Sequence, residues 1–160
     1  MDNPPKAYLS ASAIGYYGHR GDTLVQEDDA PGDTGFLPKS VVAWEKAIDE
    51  VAATGVRTVA LRTGIVLSTQ GGALEKMLEP LQFLLAAYFG NGRQWYSWIH
   101  IDDVCRMYLK AIEDDNMQGT FNAVAPHPVT NKELTQQLVK ASDKPAITVP
   151  APSSAQVNPS

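Results

Sequence analysis

The sequence is poor in the residues that mark several classes of protein. Its 160 residues include one cysteine, Cys105, which excludes an internal disulfide and a paired-cysteine metal site. No lysine or arginine run occurs and the formal net charge is −5, which disfavours a basic patch for nucleic acid. No apolar run approaches the roughly 20 residues needed to cross a bilayer. We therefore expect no nucleic-acid partner and no membrane partner.

Three common catalytic patterns are also missing. A GxSxG nucleophile turn is absent, so a serine hydrolase is unsupported. The histidines His19, His100 and His127 are scattered, and no metal-ligand spacing is found. No tyrosine is followed by lysine four residues later, the pair in which tyrosine transfers a proton beside the lysine charge. Tyr16 has Arg20 at that spacing, but within a predicted loop.

Alternating strand and helix patterns predict an α/β fold. Hydrophobic residues make up 44% of the chain and charged residues 19%, values typical of one globular domain, which we place at residues 1–150. Residues 151–160 are predicted to be a frayed tail, and the first residues do not resemble a signal peptide, which favours the cytoplasm or an organelle matrix. The predicted strands are Ala7–Ala11, Thr58–Leu61, Trp98–Ile101 and Phe121–Ala123, the last two within segments that begin at Trp95 and Thr120. The predicted helices are Ser40–Ala53, Ala73–Leu85, Val104–Glu113 and Lys132–Ala141.

Local signals predict how two of these helices begin. Asp102 and Asp103 precede the third helix, and we expect Asp103 to cap it. Thr130 and Glu133 form a capping box for the last helix, with Val129 and Leu134 spaced for a hydrophobic staple. Cys105 is interpreted as lying on the apolar stripe of the third helix and is therefore predicted to be buried.

The glycines Gly15, Gly18 and Gly21 have the GxxGxxG spacing of a dinucleotide-binding turn. Such a turn must lead directly into a helix whose N-terminus holds the pyrophosphate. Here an acidic segment broken by Pro31, Gly32 and Gly35 follows instead. We therefore interpret residues 15–35 as a loop and not as a phosphate site.

Four segments in order carry a family resemblance: SASAIGYYG, LRTGIVL with GGALEKML, GRQWYSWIHIDDV, and FNAVAPHPVTNKEL. Together they resemble the second half of the extended short-chain dehydrogenases/reductases, over roughly residues 6 to 150. The segment GRQWYSWIHIDD is similar to the corresponding segment of an atypical subgroup, the bacterial epimerase family proteins and their eukaryotic relatives. The resemblance implies a partial Rossmann-like, doubly wound parallel sheet with an incomplete substrate-side subdomain. It also implies an NAD(P)-dependent oxidoreductase or epimerase-like protein for a small carbonyl or nucleotide-sugar-like substrate.

The chain departs from this family in two ways. The Gly-rich first half, which grips the cofactor pyrophosphate, has no counterpart before Ala7. Counting back from Glu45, the family's tyrosine and lysine positions fall on Leu37 and Val41. We therefore expect NADP or NAD to bind the complete protein and this chain alone to bind neither. We also expect the exposed edge of the first strand to pair with a second copy, as a homodimer.

The resemblance implies three groups of site residues. Each group also has a structural interpretation. The serine hydroxyls could bond nearby backbone groups, and Arg62 could form a structural ion pair. The others are a packed His100 bonded to a backbone group, simple packing of one tyrosine, and a solvated Arg93. The rival functions are a non-catalytic NAD(P)-binding or regulatory protein and an inactive truncated fragment. The implied catalytic residues are Ser12 and Tyr16. The implied cofactor-binding residues are Ser10, Arg62, Thr63, Gly64, Ile65 and Val66, and the implied substrate residues are Tyr17, Arg93, Gln94, Trp98 and His100.

Overall fold

A computed structural model describes residues 4–152 of the chain. They form an α/β fold with short 3₁₀ turns at Ile14–Tyr17 and Glu79–Phe83. None of the helices in this range is long and apolar enough to cross a membrane. The helices are α1 (Phe36–Ala52), α2 (Ala73–Leu78), α3 (Ile101–Glu113) and α4 (Asn131–Ala141). The strands are β1 (Ala7–Ala13), β2 (Arg57–Thr63), β3 (Ile65–Leu67), β4 (Leu85–Phe89), β5 (Trp95–Tyr96), β6 (Trp98–His100), β7 (Gly119–Ala123), β8 (Val129–Thr130) and β9 (Ile147–Ala151).

The chain divides into two compact units. The first contains the residues up to Gly64 together with Ile99–Val124, and the second contains Ile65–Trp98 and the residues from Ala125 onward. Each unit therefore combines two stretches that are distant in the sequence.

A parallel sheet in the order β1-β2-β7 is the centre of the first unit. The central strand β2 is buried from Thr58 to Arg62, as expected for a parallel strand covered on both faces. Within residues 4–152, no strand pairs with the outer side of β1. Tyr8 on β1 is 39% exposed. Pairing of this edge with a second copy stays a prediction, which light scattering can test.

The four strands predicted from the sequence are confirmed, with ends that differ by up to two residues. The aromatic segment Trp95–Ile101 is not one continuous strand, because it divides into β5 and β6 at Ser97. Helix α1 begins at Phe36, earlier than predicted, and includes Pro38. Proline is tolerated there because the first-turn N–H groups of a helix have no intrahelical acceptor.

The predicted helix Ala73–Leu85 is wrong in its second half. Helix α2 ends at Leu78, a 3₁₀ turn containing Pro80 follows, and Leu84 has a positive φ of 58°. Proline removes a helical donor, which disfavours continuation of α2, and the left-handed Leu84 ends the 3₁₀ turn. Leu85 then begins β4, which pairs in parallel with β9. Ala151, the first residue of the predicted tail, is the last residue of β9, and residues 153–160 of that tail lie outside the described range.

The second unit has its own apolar core. Leu67, Tyr96 and Leu134 are buried together, and Val129 and Trp98 are among the half-buried side chains packed against them. The capping box of α4 is confirmed, since the Glu133 N–H donates to the Thr130 hydroxyl and the Glu133 carboxylate accepts from the Thr130 N–H. Val129 and Leu134 both belong to this cluster, as the predicted staple requires.

Two predictions about α3 are wrong. Its N-cap is His100, whose Nδ1 accepts from the Asp102 N–H at 3.2 Å, whereas Asp103 pairs with Arg106 on the surface. Cys105 is exposed. The buried residues of α3 are Val104 and Ala111, and Cys105 is turned about 100° from Val104 and about 120° from Ala111 around the helix axis.

The cap assignment predicts an order of stabilities. We expect His100→Ala to lower the free energy of unfolding by about 1 kcal/mol, because the Asp102 N–H loses its acceptor. Asp103→Ala should cost roughly 0.5 kcal/mol or less, because it removes an exposed ion pair. His100→Asn, which restores an acceptor at the N-cap, is the control. Urea unfolding of the three variants measures these differences, and a larger loss for Asp103→Ala would contradict the assignment.

Candidate functional site

Three polar residues lie side by side near the carboxyl ends of the parallel strands. Ser12 on β1 is in register with Arg62 on β2, and Arg62 is in register with Asn122 on β7. In open α/β sheets, ligands bind outside the carboxyl ends of the strands. The row formed by Ser12, Arg62 and Asn122 is therefore the candidate ligand-binding site.

A buried ion pair occupies the middle of the row. Arg62 donates from Nε and Nη2 to the two carboxylate oxygens of Glu45 on α1, both at 2.8 Å. The two side chains are 5% and 12% exposed. Burial acts against the charged guanidinium, but the hydrogen bonds to Glu45 and Tyr17 outweigh it and raise the pKa of Arg62. Arg62 is thus a permanent cation, and the structural ion pair considered from the sequence is present.

Hydrogen bonds extend from this ion pair to both sides of the row. The Ser12 hydroxyl donates to Glu45 Oε1 at 2.5 Å. On the other side, Arg62 Nη1 donates to the Tyr17 hydroxyl at 2.8 Å, and that hydroxyl donates to Asn122 Oδ1 at 2.7 Å. Ser12 and Tyr17 are each 3% exposed. One network therefore joins β1, α1, β2 and β7.

Tyr16 is the half-buried aromatic residue above this network. The Arg62 guanidinium carbon lies 3.5 Å from the centroid of the Tyr16 ring, a cation–π distance. The Tyr16 and Tyr17 rings meet edge to face, with centroids 5.3 Å apart. Within residues 4–152, no hydrogen bond involves the Tyr16 hydroxyl. Of the two tyrosines, Tyr16 is therefore the one whose hydroxyl is available to a ligand.

The acidic loop predicted from the sequence folds onto the same network. Arg62 Nη1 donates to the Glu27 carbonyl at 2.9 Å, and the Asn122 N–H donates to the Glu27 carboxylate at 2.8 Å. The Gly32 N–H donates to the Tyr16 carbonyl. A Cβ at Gly32 would lie 2.9 Å from the Tyr17 carbonyl oxygen, so the close approach requires glycine. No helix occurs in residues 18–35, which confirms that the glycines at 15–21 do not lead into one.

The cofactor residues implied by the resemblance already have partners. The Ser10 hydroxyl donates to the Ala11 carbonyl, and the Thr63 hydroxyl donates to the Leu61 carbonyl. In the backbone that follows, Gly64 N–H donates to Ala123 in the first unit. The Ile65 N–H donates to the Ser97 carbonyl. Ile65 and Val66 belong to β3, which lies in the second unit. Cofactor contacts from these residues stay a prediction.

The implied substrate residues are not all in one unit. Tyr17 and His100 are in the first, and Arg93, Gln94 and Trp98 are in the second. His100 caps α3 and its side chain is half exposed, whereas Arg93 is exposed. Gln94 Oε1 and Trp98 Nε1 are buried atoms without a hydrogen-bond partner. Substrate contacts from the second unit stay a prediction, and no group of three potential metal ligands occurs among the described residues.

The sequence matches the NAD dependent epimerase/dehydratase family over residues 3–123. The chain belongs to this family. It is 41% identical over 140 residues to an epimerase family protein of Mycobacterium leprae. That alignment covers 88% of this chain and 45% of the relative. It is 38% identical over 141 residues to epimerase family protein YfhF of Bacillus subtilis, with 88% and 46% coverage. The chain thus spans about half the length of the curated relatives it matches.

Solved structures give the same assignment. The human epimerase family protein SDR39U1 with NADPH superposes with a TM-score of 0.79 and 33% identity, covering 92% of this chain and 50% of that one. The nucleoside-diphosphate sugar epimerase of Corynebacterium glutamicum superposes with a TM-score of 0.78 and 37% identity, covering 91% and 32%. The family and the partial Rossmann-like α/β fold implied by the resemblance are confirmed.

The structure adds three residues that the sequence did not mark as part of the site. In the sequence, Glu45 served only as the reference position from which Leu37 and Val41 were located. Asn122 was one polar residue in a strand, and Glu27 was one of several carboxylates in a loop. Only Glu45 had a signal, since its carboxylate faces inward with the buried Val41 and Ile48 of α1. The other two depend on tertiary contacts.

The ion pair predicts a large asymmetry between single and double substitutions. We expect Arg62→Met to lower the free energy of unfolding by roughly 3 kcal/mol or more, because it leaves the Glu45 carboxylate buried without a partner. Adding Glu45→Gln to Arg62→Met should recover part of this loss. Arg106→Met is the matched control and should cost about 0.5 kcal/mol, since Arg106 pairs with Asp103 at the surface. Denaturant unfolding measures all three, and a double variant less stable than Arg62→Met would contradict the explanation.

Proposed function

We propose that this chain is part of an NAD(P)-dependent, oxidoreductase- or epimerase-like protein of the atypical extended short-chain type. Its substrate is a small carbonyl or nucleotide-sugar-like compound. The observation that carries the proposal is the available hydroxyl of Tyr16 above the Ser12–Arg62–Asn122 row. The NADPH in the human relative supports the cofactor, and the family assignment supports the substrate class.

The proposed proton-transfer group is Tyr16. A phenol positioned beside a substrate oxygen can give up or take a proton as hydride moves to or from the nicotinamide. The family's usual tyrosine and lysine positions hold Leu37 and Val41, so they cannot do this. In the proposed site the cation beside the phenol ring is Arg62 and not a lysine.

The proposed role of Ser12 follows from its hydrogen bond. Its proton is directed to Glu45, so its remaining capacity is to accept from a substrate hydroxyl. A carbonyl oxygen needs a donor and would have to find it elsewhere. Ser12 therefore suits the alcohol form of a substrate better than the carbonyl form.

Cofactor binding by this chain alone should be absent. NADPH binding in such folds depends on a Gly-rich turn and a helix N-terminus that hold the pyrophosphate. The glycine-containing loop of this chain leads into carboxylates instead, and contacts to the nicotinamide end alone do not offset the lost freedom of the ligand. We expect calorimetry to show no NADPH binding to the 160-residue chain and micromolar binding when a Gly-rich half of the family precedes it.

The matched control for that measurement is the joined protein with its phosphate-binding glycines replaced by valine. It should fold and lose NADPH affinity, because a side chain there blocks the approach of the pyrophosphate. Micromolar binding by the 160-residue chain alone would overturn the explanation. Failure of the correctly folded joined protein to bind either NADPH or NADH would overturn the proposed function.

A non-catalytic NAD(P)-binding protein is the second candidate, and the leucine and valine at the usual catalytic positions favour it. Tyr16→Phe in the joined protein separates the two. If Tyr16 transfers the proton, turnover of carbonyl and sugar-nucleotide substrates should fall about 10²–10⁴-fold while NADPH affinity is unchanged. Tyr8→Phe is the control, since Tyr8 is a tyrosine of β1 outside the network. Absence of turnover in the unmodified joined protein would favour the binding protein.

A further inference from the structure

The hydrogen bonds of the row have a direction that chemistry fixes. A guanidinium can only donate, and an ionised carboxylate can only accept. Arg62 therefore donates to Glu45, and Ser12 must donate to Glu45 as well. Arg62 also donates to the Tyr17 hydroxyl, so the proton of that hydroxyl is free to point at Asn122.

This direction determines how the Asn122 amide is turned. The Tyr17 proton needs an acceptor, and the amide oxygen is the atom of Asn122 that can accept. The distance between the Tyr17 hydroxyl and Asn122 Oδ1 is 2.7 Å, that of a good hydrogen bond. The orientation of an asparagine amide is assigned from its hydrogen bonds. Here the Arg62 guanidinium, two hydrogen bonds away, determines it, because Arg62 donates to the Tyr17 hydroxyl and that hydroxyl must then donate to Asn122.

The amide nitrogen of Asn122 is consequently turned away from the network. Among residues 4–152 it has no hydrogen-bond partner, and it is absent from the fully buried polar atoms that lack one. Asn122 is half-buried, so its nitrogen reaches solvent beside the carboxyl end of β7. Two N–H groups with a fixed direction are thus available at the ligand-binding end of the sheet.

We infer that Asn122 is a ligand-binding residue whose side-chain amide donates to an oxygen of the substrate. The inference rests on the proposed function, because it uses the same end of the sheet. It assigns to Asn122 the donor that Ser12 cannot supply. Arg62 and Tyr17 act as positioning residues, since they hold the amide oxygen and thereby aim the nitrogen.

The surrounding charge selects an uncharged oxygen. The Glu27 carboxylate accepts from the backbone N–H of Asn122 at 2.8 Å, so a negative charge lies at the backbone of the same residue. The same loop carries further carboxylates, which repel a phosphate or carboxylate group. A sugar hydroxyl or a carbonyl has no such penalty. The acidic side chains of the loop are Asp22, Glu27, Asp28, Asp29 and Asp33.

The experiment titrates the 160-residue chain with glucose, an uncharged sugar that carries only hydroxyl and ring oxygens, and follows the side-chain amide signals by NMR, which detects millimolar binding. The Asn122 amide pair should shift saturably. Asn122→Asp keeps the acceptor for Tyr17 but replaces the donor by a charged oxygen, and should weaken binding about tenfold or more. Asn122→Ala removes the donor without adding charge and should also weaken binding, which covers the case in which the aspartate variant does not fold.

The matched control is Asn116→Asp, an exposed asparagine of the same unit, which should bind like the unmodified chain. Absence of a shift at Asn122, or equal affinity of a folded Asn122 variant, would overturn the inference. The proposed function is tested separately by NADPH binding to the joined protein. The two failures are therefore distinguishable, since neither measurement uses the other's ligand.

Discussion

The buried ion pair between Glu45 and Arg62 is the interaction on which the rest of the site depends. It joins α1 to the central strand, and its hydrogen bonds reach β1 through Ser12 and β7 through Tyr17 and Asn122. Burying two charges is costly, and the cost is offset only when the geometry is good and the remaining donors are satisfied. Here four of the five guanidinium N–H groups have an acceptor. The pair is therefore tolerated in the core, and it holds the Ser12 and Tyr17 hydroxyls through hydrogen bonds.

The elements that could be predicted from the sequence are those whose signal is local. Strand β2 has the apolar residues Val59, Ala60 and Leu61 at its centre, and α4 has its capping box, so both were predicted within two residues. Strand β4 could not be predicted, because its sequence LAAYF also suits a helix. It becomes a strand by pairing with β9, about 60 residues later, after Leu84 has ended the preceding turn. Such pairing is a tertiary property that overrides local propensity.

The site was predictable only in part, for a related reason. The family resemblance brought Ser12, Tyr16, Tyr17 and Arg62 to attention, and the structure brings these four together. The resemblance could not show that the Arg62 guanidinium hydrogen-bonds to Glu45 and Tyr17, because a sequence does not reveal which partner an arginine contacts. The cap of α3 was assigned to Asp103 since carboxylates are common caps, yet the extended residue before the helix is His100. The helix begins three residues earlier than predicted, at Ile101 and not at Val104, and the cap moves with it.

The network combines buried charges and outer polar groups within one cluster. Arg62 and Glu45 are buried charges, so changing either one alone threatens the fold. Tyr16 and Asn122 lie at the ends of the cluster, each with a polar group that the protein itself does not use. Substituting these groups removes no buried charge and leaves the ion pair intact. A leucine and a valine stand where the resemblance implies tyrosine and lysine, and the carboxyl end of the sheet nevertheless has an ordered set of polar groups. The ion pair holds the buried part of the network in place, and the outer groups can be substituted without leaving a buried charge unpaired.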